Sequence, residues 1–383
     1  MAQELPLLVI GAGPYGLSLA GHAIERSIPT TVVGRPMSFW RDHMPAGMFL
    51  RSDVDWHLDA AQTHTLRAFL DQRRIRAEEV DPVPIALFME YVDWFARSKN
   101  ITVRDAQVRR LTHDGDRFEA ELDSGETLQA KRVVVAPGIA SFRTVPTWAD
   151  TVPAARVAHT FDAVRFEDYA GQRVLIVGGR QSAYEWAALI AEHGAARVDV
   201  VHRHETPRFA QGDWRFVDEL MANTLAHSGW WRRLPAAERD SIGRRFWEAG
   251  RLTLEHWLVP RLDRPNVHRW RRAAVAEAIE EPASGELNVR LSIGLRVAVD
   301  RVVLATGYRA DIARLPWLEG VLDRVRVSEG FPELDEGFQT SLPGLYMTGF
   351  VATRDFGPFF GFVRATPVSS ALIVEDLLRS IGG

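Results

Sequence analysis

The stretch LLVIGAGPYGLSLA, residues 7–20, decides the fold. Leu7, Leu8, Val9 and Ile10 form a short unbroken apolar run, the pattern of a parallel strand buried on both faces. Gly11, Gly13 and Gly16 follow at once in the spacing G-x-G-x-x-G, and Leu17, Ser18, Leu19 and Ala20 continue as a helix. The first glycine permits a tight turn, the second lets backbone approach a pyrophosphate, and the third lets helix and strand pack closely. Oriented N–H groups at the helix N-terminus then meet the phosphate charge. With Pro14 and Tyr15 inside the turn, strand, turn and helix stand in the order that a dinucleotide-binding unit needs.

The opening theme returns at residues 174–188, VLIVGGRQSAYEWAA. Val174 to Val177 enter Gly178, Gly179, Arg180, Gln181, Ser182 and Ala183, a G-x-G-x-x-A form in which Arg180 replaces the second glycine. A side chain there hinders close approach of a pyrophosphate unless the guanidinium itself contacts phosphate. The next strand, 198–201, ends in His202, Arg203 and His204. Basic residues at that point suit the 2′-phosphate of NADP, so NADPH is the expected second nucleotide. The first unit departs differently. Its second strand, 30–33, runs into Gly34, Arg35 and Pro36 with no acidic residue for the ribose hydroxyls, which leaves Arg35 to lie against adenine or a phosphate.

At 383 residues, 46% hydrophobic and 25% charged, the chain has ordinary globular composition and room for two sizeable cores. A net charge of -4 without a basic tail gives no sign of nucleic acid as a partner. The apolar start is too short and too glycine-broken for a membrane span and lacks a basic leader, so a cytoplasmic protein is expected. With no cysteine, disulfide-reductase chemistry, thiolate nucleophiles and Cys-ligated metals are all excluded. No metal-ligand cluster and no Ser-His-Asp arrangement stands out. His57, His64, His159, His202 and His204 read as structural or exposed.

Between the two glycine-rich turns, residues 37–52 carry Trp40, Met48 and Arg51 on a glycine-containing loop suited to cover a flavin ring. Aromatic and thioether groups give flat apolar contact, and an arginine counters negative charge. Arg51 and Asp53 are the candidate catalytic residues. Helices are expected over 63–72 and 85–98, the second with Leu87, Tyr91, Trp94 and Phe95 facing the core. Residues 101–135 alternate as a β-meander with turns at 114–116 and 124–126. An insertion over about 207–265 carries Trp214, Trp230, Trp231, Trp247 and Trp257 on amphipathic helical stretches. Strands return over 290–304 and 345–349, and residues 362–378 lead into a terminal helix whose N-terminus suits an anionic reduced flavin. Thr306, Gly307, Gly349, Gly357 and Pro358 complete the candidate cofactor contacts.

Two such fingerprints joined by a β-meander, with an Ala-Thr-Gly turn at 305–307, resemble the two-dinucleotide-domain flavoproteins and among them the class B flavin monooxygenases. Asp300 and Leu304-Ala305-Thr306-Gly307-Tyr308 look like the D-x-x-x-(L/F)-A-T-G-Y signature of the N-hydroxylating members. The His/Asn-Pro pair that normally follows is replaced by Ala313-Arg314, and the Baeyer–Villiger fingerprint is absent. The resemblance implies an α/β fold with two Rossmann-like domains, FAD at residues 1–160 and 300–383 and NADPH at 161–299. It further implies that NADPH reduces FAD, that reduced flavin takes up O2 as a (hydro)peroxyflavin, and that oxygen passes to a small organic substrate. The alternative is an FAD oxidase or dehydrogenase with a non-functional NADPH site. The segments 48–57, 207–265 and 356–362 are the expected walls of an apolar or aromatic substrate pocket.

Overall fold

The computed structural model describes residues 4–281 and 285–382. Leu7–Ile10 (β1), Pro14–Glu25 (α1) and Thr30–Val33 (β2) make the first β-α-β unit. β1 has parallel neighbours on both sides, which accounts for its unbroken apolar run. The chain then makes three helices, Ser38–Asp42 (α2), Leu66–Arg73 (α3) and Ile85–Ser98 (α4), and returns to the sheet as Val103–Arg104 (β3). An antiparallel meander of Val108–His113 (β4), Phe118–Leu122 (β5) and Thr127–Ala130 (β6) follows, and Val133–Val135 (β7) re-enters beside β1.

The same succession then recurs. After Val157–His159 (β8) come Arg173–Val177 (β9), Gln181–Glu192 (α5) and Arg197–Val201 (β10). Helices Phe216–Ala226 (α6), Trp230–Arg233 (α7), Ala236–Arg251 (α8) and Val259–Leu262 (α9) intervene before the strand Val267–Trp270. A second meander, Val275–Glu280, Leu287–Leu291 and Arg296–Val299, leads to Arg301–Leu304 beside β9. Each module thus releases a helical insert after its second strand and resumes with its third.

The first sheet runs Leu345–Met347, β7, β1, β2, β3, and the second Val267–Trp270, β10, β9, Arg301–Leu304, β8. Both β8 and Arg301–Leu304 therefore belong to the second sheet. The unit expected over 161–299 reaches from 157 to 304, because apolar runs at its two ends fit either sheet until their pairing is known. The helix expected over 63–72 starts at Leu66, where the Thr65 hydroxyl accepts the Ala68 N–H as an N-cap. On α4, Phe88, Tyr91 and Phe95 are fully buried, whereas Leu87 and Trp94 lie at the edge of the core.

Two polar contacts fix the first insert against α1, one from Lys99 to Glu25 and one from the Ser18 hydroxyl, which donates to the Leu58 carbonyl at 2.5 Å. Lys99, buried at the end of α4, pairs with Asp59 at 2.8 Å and with Glu25 of α1. The buried ammonium is thus fully compensated, and the Asp59 carboxylate also accepts the N–H groups of Ala61, Thr63 and His64. The terminal helix Thr366–Gly382 lies along α1, with Ser18 and Ser370 hydroxyl oxygens 2.8 Å apart.

Candidate cofactor and active site

At the end of β1, Gly11 takes φ +113, and a Cβ there would lie 2.2 Å from the Ala136 carbonyl oxygen. Gly16 is tighter still, its Cβ position 1.8 Å from the Gly11 carbonyl oxygen. Gly13 is different, since nothing lies within 4 Å of the position its Cβ would take. Packing requires the first and third glycines, and the second faces an open lane over the start of α1. That helix has no side-chain cap and begins with Pro14, so its first-turn amides are directed at the lane without competition.

Other groups converge there. At the end of Leu345–Met347, the Thr348 hydroxyl is buried without a hydrogen-bond partner, and Gly349 beside it takes φ +79 against the Tyr15 ring. Burial pushes the Tyr15 phenol well above its ordinary pKa, and its O–H donates to the carbonyls of Phe360 and Phe362 (the latter at 2.9 Å). This holds the segment after Gly357 (φ +103) and Pro358 over the cradle. Arg35 is exposed beyond β2. An orphaned hydroxyl, a bare helix N-terminus and an open glycine lane together fit FAD.

The second cradle copies the first in backbone. Gly178 takes φ +149 with its Cβ position 2.4 Å from the Ala305 carbonyl oxygen, as Gly11 does with Ala136. Gly179 has a packing reason, because a Cβ there would stand 2.4 Å from the His202 side chain. His202 is buried, which lowers its pKa, and lies 2.8 Å from the Tyr184 hydroxyl, a structural role as expected. Arg180 begins α5 with its guanidinium 3.9 Å over the Trp247 ring. Burial, then Arg251 and Arg203, push its pKa down to about 10. Ser182 is exposed in the first turn of α5, and Arg203 is exposed beyond β10, matching Arg35 beyond β2. The Thr306 hydroxyl donates to the Thr144 carbonyl and the Gly307 carbonyl accepts the Thr144 N–H at 2.9 Å, so both residues clasp the crossover between the modules.

Between the cradles the two inserts meet. Arg51, expected to counter negative charge at the flavin, has its donors committed: to Glu255 at 2.8 Å, the Gly250 carbonyl at 2.5 Å and the Thr253 carbonyl at 3.0 Å. It is a rivet between the inserts. Asp53 is at the exposed rim, where partial burial raises its carboxyl pKa against the pull of the Asp55 amide. Trp40 packs on Phe88 at 4.9 Å, and Met48 sits in the core with Ile85 and residues of α5, so both are held by packing rather than lying free on the loop. The Gln181 side-chain oxygen accepts the Glu255 N–H at 3.1 Å. Glu185, one turn further along α5, is buried and accepts the Phe49 N–H at 3.3 Å. Burial pushes its carboxyl up to about 7. Residues of the three segments expected as pocket walls pack on one another: Trp56 from the first insert, Trp214 and Phe246 from the second, and Phe362 form one cluster with ring centroids 5.3–6.0 Å apart, and the first three are buried in the core.

Sequence reading missed Glu185, Glu255 and Arg251 and gave Trp247 no partner. The available signal was the i,i+4 spacing of Trp247 and Arg251 on an otherwise polar helix.

A family model described as pyridine nucleotide-disulphide oxidoreductase matches residues 8–219, more than half of the chain. The chain belongs to this family. Lacking cysteine, it carries the family's nucleotide-binding frame without thiol chemistry of its own. An indole-3-pyruvate monooxygenase of Oryza sativa is 27% identical over 90% of this chain and 86% of its own length. A ferredoxin–NADP reductase of a Nocardioides strain is 26% identical over 98% of this chain and 94% of its own. The ornithine hydroxylase of Pseudomonas aeruginosa shares the fold, with a TM-score of 0.82 at 18% identity over 99% of this chain and 100% of that one. The family member described here is a flavin-dependent oxidoreductase with FAD and NADP(H) as cofactors, related to the flavin monooxygenases. Among its described residues no helix is long and apolar enough to cross a membrane.

Proposed function

We propose that this flavoprotein is a cytoplasmic NADPH- and O2-dependent monooxygenase that oxygenates a small, flat, apolar or aromatic molecule. The observation that carries the reading is the meeting of both helical inserts between two nucleotide cradles, where Trp56, Trp214, Phe246 and Phe362 pack into one aromatic cluster. The indole-3-pyruvate monooxygenase relative supports both the reaction class and an aromatic substrate.

In this reading Gly11, Gly13, Pro14, Tyr15 and Gly16 hold the FAD pyrophosphate, and Arg35 meets its adenosine end. Trp40, Met48, Thr306, Gly307, Gly349, Gly357 and Pro358 shape the flavin's surroundings. Gly178, Gly179, Arg180, Gln181, Ser182 and Arg203 hold NADPH. Bound FAD supplies the two-electron and oxygen chemistry, and the chain supplies position and exclusion of water. Arg51 acts as a positioning residue by riveting the inserts that seal the site, and Asp53 stands at their rim.

The test is aerobic turnover with NADPH, labelled O2 and a panel of aromatic acids, amines and heterocycles, read by mass spectrometry. Incorporation of one labelled atom per NADPH supports the reading. A second reading, an NADPH:acceptor reductase, is favoured by the near full-length match to the ferredoxin–NADP reductase. It predicts fast reduction of a one-electron acceptor and no labelled product.

A further inference from the structure

The second fingerprint has Arg180 where a glycine would bring backbone close to phosphate, and the insert of the same module delivers two more groups to that place. Trp247 and Arg251 lie four residues apart on α8 and so share a face. The Trp247 ring carries the Arg180 guanidinium at 3.9 Å although the tryptophan is 43% exposed. Arg203 comes to the same place from β10, since Val201 pairs with Val177 and the His202 side chain lies 2.4 Å from the position a Gly179 Cβ would take, and the like charges of Arg251 and Arg203 oppose that of Arg180. Among the described residues none of these three arginines makes an ion pair or a side-chain hydrogen bond, whereas Arg51, Arg173 and Arg197 are each committed to carboxylates. A guanidinium stacked by its face keeps its in-plane N–H donors free for a bidentate acceptor. Three like charges with no carboxylate of their own repel one another, and a bound anion relieves that repulsion.

We propose that Arg180, Arg203 and Arg251 form one anion clamp, backed by Trp247, for the pyrophosphate and 2′-phosphate of NADP(H). The insert helix α8 is thereby part of the cofactor site and selects the phosphorylated nucleotide. The side chain of Arg180 supplies the charge and donors that backbone amides supply where a glycine stands. Restoring the glycine therefore weakens binding. The clamp rests on the second module being the NADP(H) site and is independent of oxygen transfer.

Isothermal titration of the FAD-loaded full chain with NADP+, NAD+ and 2′,5′-ADP tests it. Arg180→Gly and Arg251→Gln are each expected to raise the Kd for NADP+ by at least about tenfold, with a smaller change for NAD+. Arg203→Gln is expected to weaken 2′,5′-ADP and leave NAD+ unchanged. Trp247→Phe is expected to weaken NADP+ several-fold and to abolish the part of the indole fluorescence change that NADP+ produces. Arg203 and Trp247 are at the surface, so their variants decide the matter if either of the others fails to fold. The proposal is overturned if Arg180→Gly binds NADP+ as tightly as the wild type, or if the wild type does not prefer NADP+ to NAD+. Tight, arginine-dependent NADP+ binding in a protein that transfers no oxygen would leave the clamp standing and remove only the oxygenation reading.

Discussion

Gly13 and Gly16 belong to one motif but meet different surroundings. A methyl group at Gly16 would sit 1.8 Å from the Gly11 carbonyl oxygen, while at Gly13 it would touch nothing within 4 Å. Gly16→Ala is expected to destabilise the apoprotein by about 2–4 kcal/mol, as overpacking against backbone does. Gly13→Ala is expected to leave apoprotein stability within about 0.5 kcal/mol of wild type and to lower flavin affinity sharply. Calorimetry of the apoproteins beside FAD titration separates the two, and equal losses of stability would contradict the assignment. Glu185 carries a second prediction. Its folded carboxyl, raised to about 7, holds its proton more tightly than the unfolded chain does, so its burial costs stability increasingly as pH rises from the ordinary carboxylate range to about 7 and no further. The slope is at most about 1.4 kcal/mol per pH unit. Glu185→Gln stays neutral throughout, so its stability relative to wild type is expected to rise between about pH 5 and about pH 8. Urea unfolding at both pH values reads this directly, and a constant difference between the proteins would refute it.

At the scale of elements, α8 depends on what holds its C-terminal end. Only Phe246 and Gly250 of its residues are buried, so apolar burial alone anchors it weakly. Arg51 binds the Gly250 and Thr253 carbonyls and neutralises Glu255, whose side chain is 7% exposed. Arg51→Ala leaves that carboxylate buried and unpaired, a loss on the order of 3–5 kcal/mol, and is expected to speed proteolysis within 236–251. Arg51→Ala/Glu255→Gln is expected to recover part of the melting temperature. A double variant no more stable than the single one would show that the charge pair is not the anchor. The elements most legible in the sequence were those whose local pattern and tertiary task agree: β1 with its apolar run, the α1 turn with its glycines, the meander with Gly115 and Gly125 at its hairpins, and α4. What the sequence did not disclose depends on partners far along the chain. Arg51 reads as a counter-charge for the flavin until Gly250, Thr253 and Glu255 are placed beside it, and Trp247 reads as packing until Arg180 lies on its ring.

At the scale of the whole molecule, the chain is one module built twice. Each has a β-α-β unit, a helical insert, a third strand, a bulged three-stranded meander and a closing strand followed by an alanine whose carbonyl meets the first fingerprint glycine. The second copy was visible in the sequence as a fingerprint, but its limits were not, because β8 and Arg301–Leu304 look alike in either sheet. Duplication places the two inserts at matching points, and they meet through Arg51 and through Trp56 against Trp214. A substrate held beside this junction would lie within reach of a flavin that NADPH reduces by direct hydride transfer, the order of events that oxygenation needs. The most direct test of that account is to mix the FAD-loaded protein with NADPH in the absence of air, follow the absorbance of oxidised flavin, and then admit labelled O2 with an aromatic substrate panel. Rapid bleaching by NADPH, return of the oxidised spectrum on adding O2, and one labelled oxygen atom in a product are expected. Flavin that stays oxidised in the presence of NADPH would contradict it.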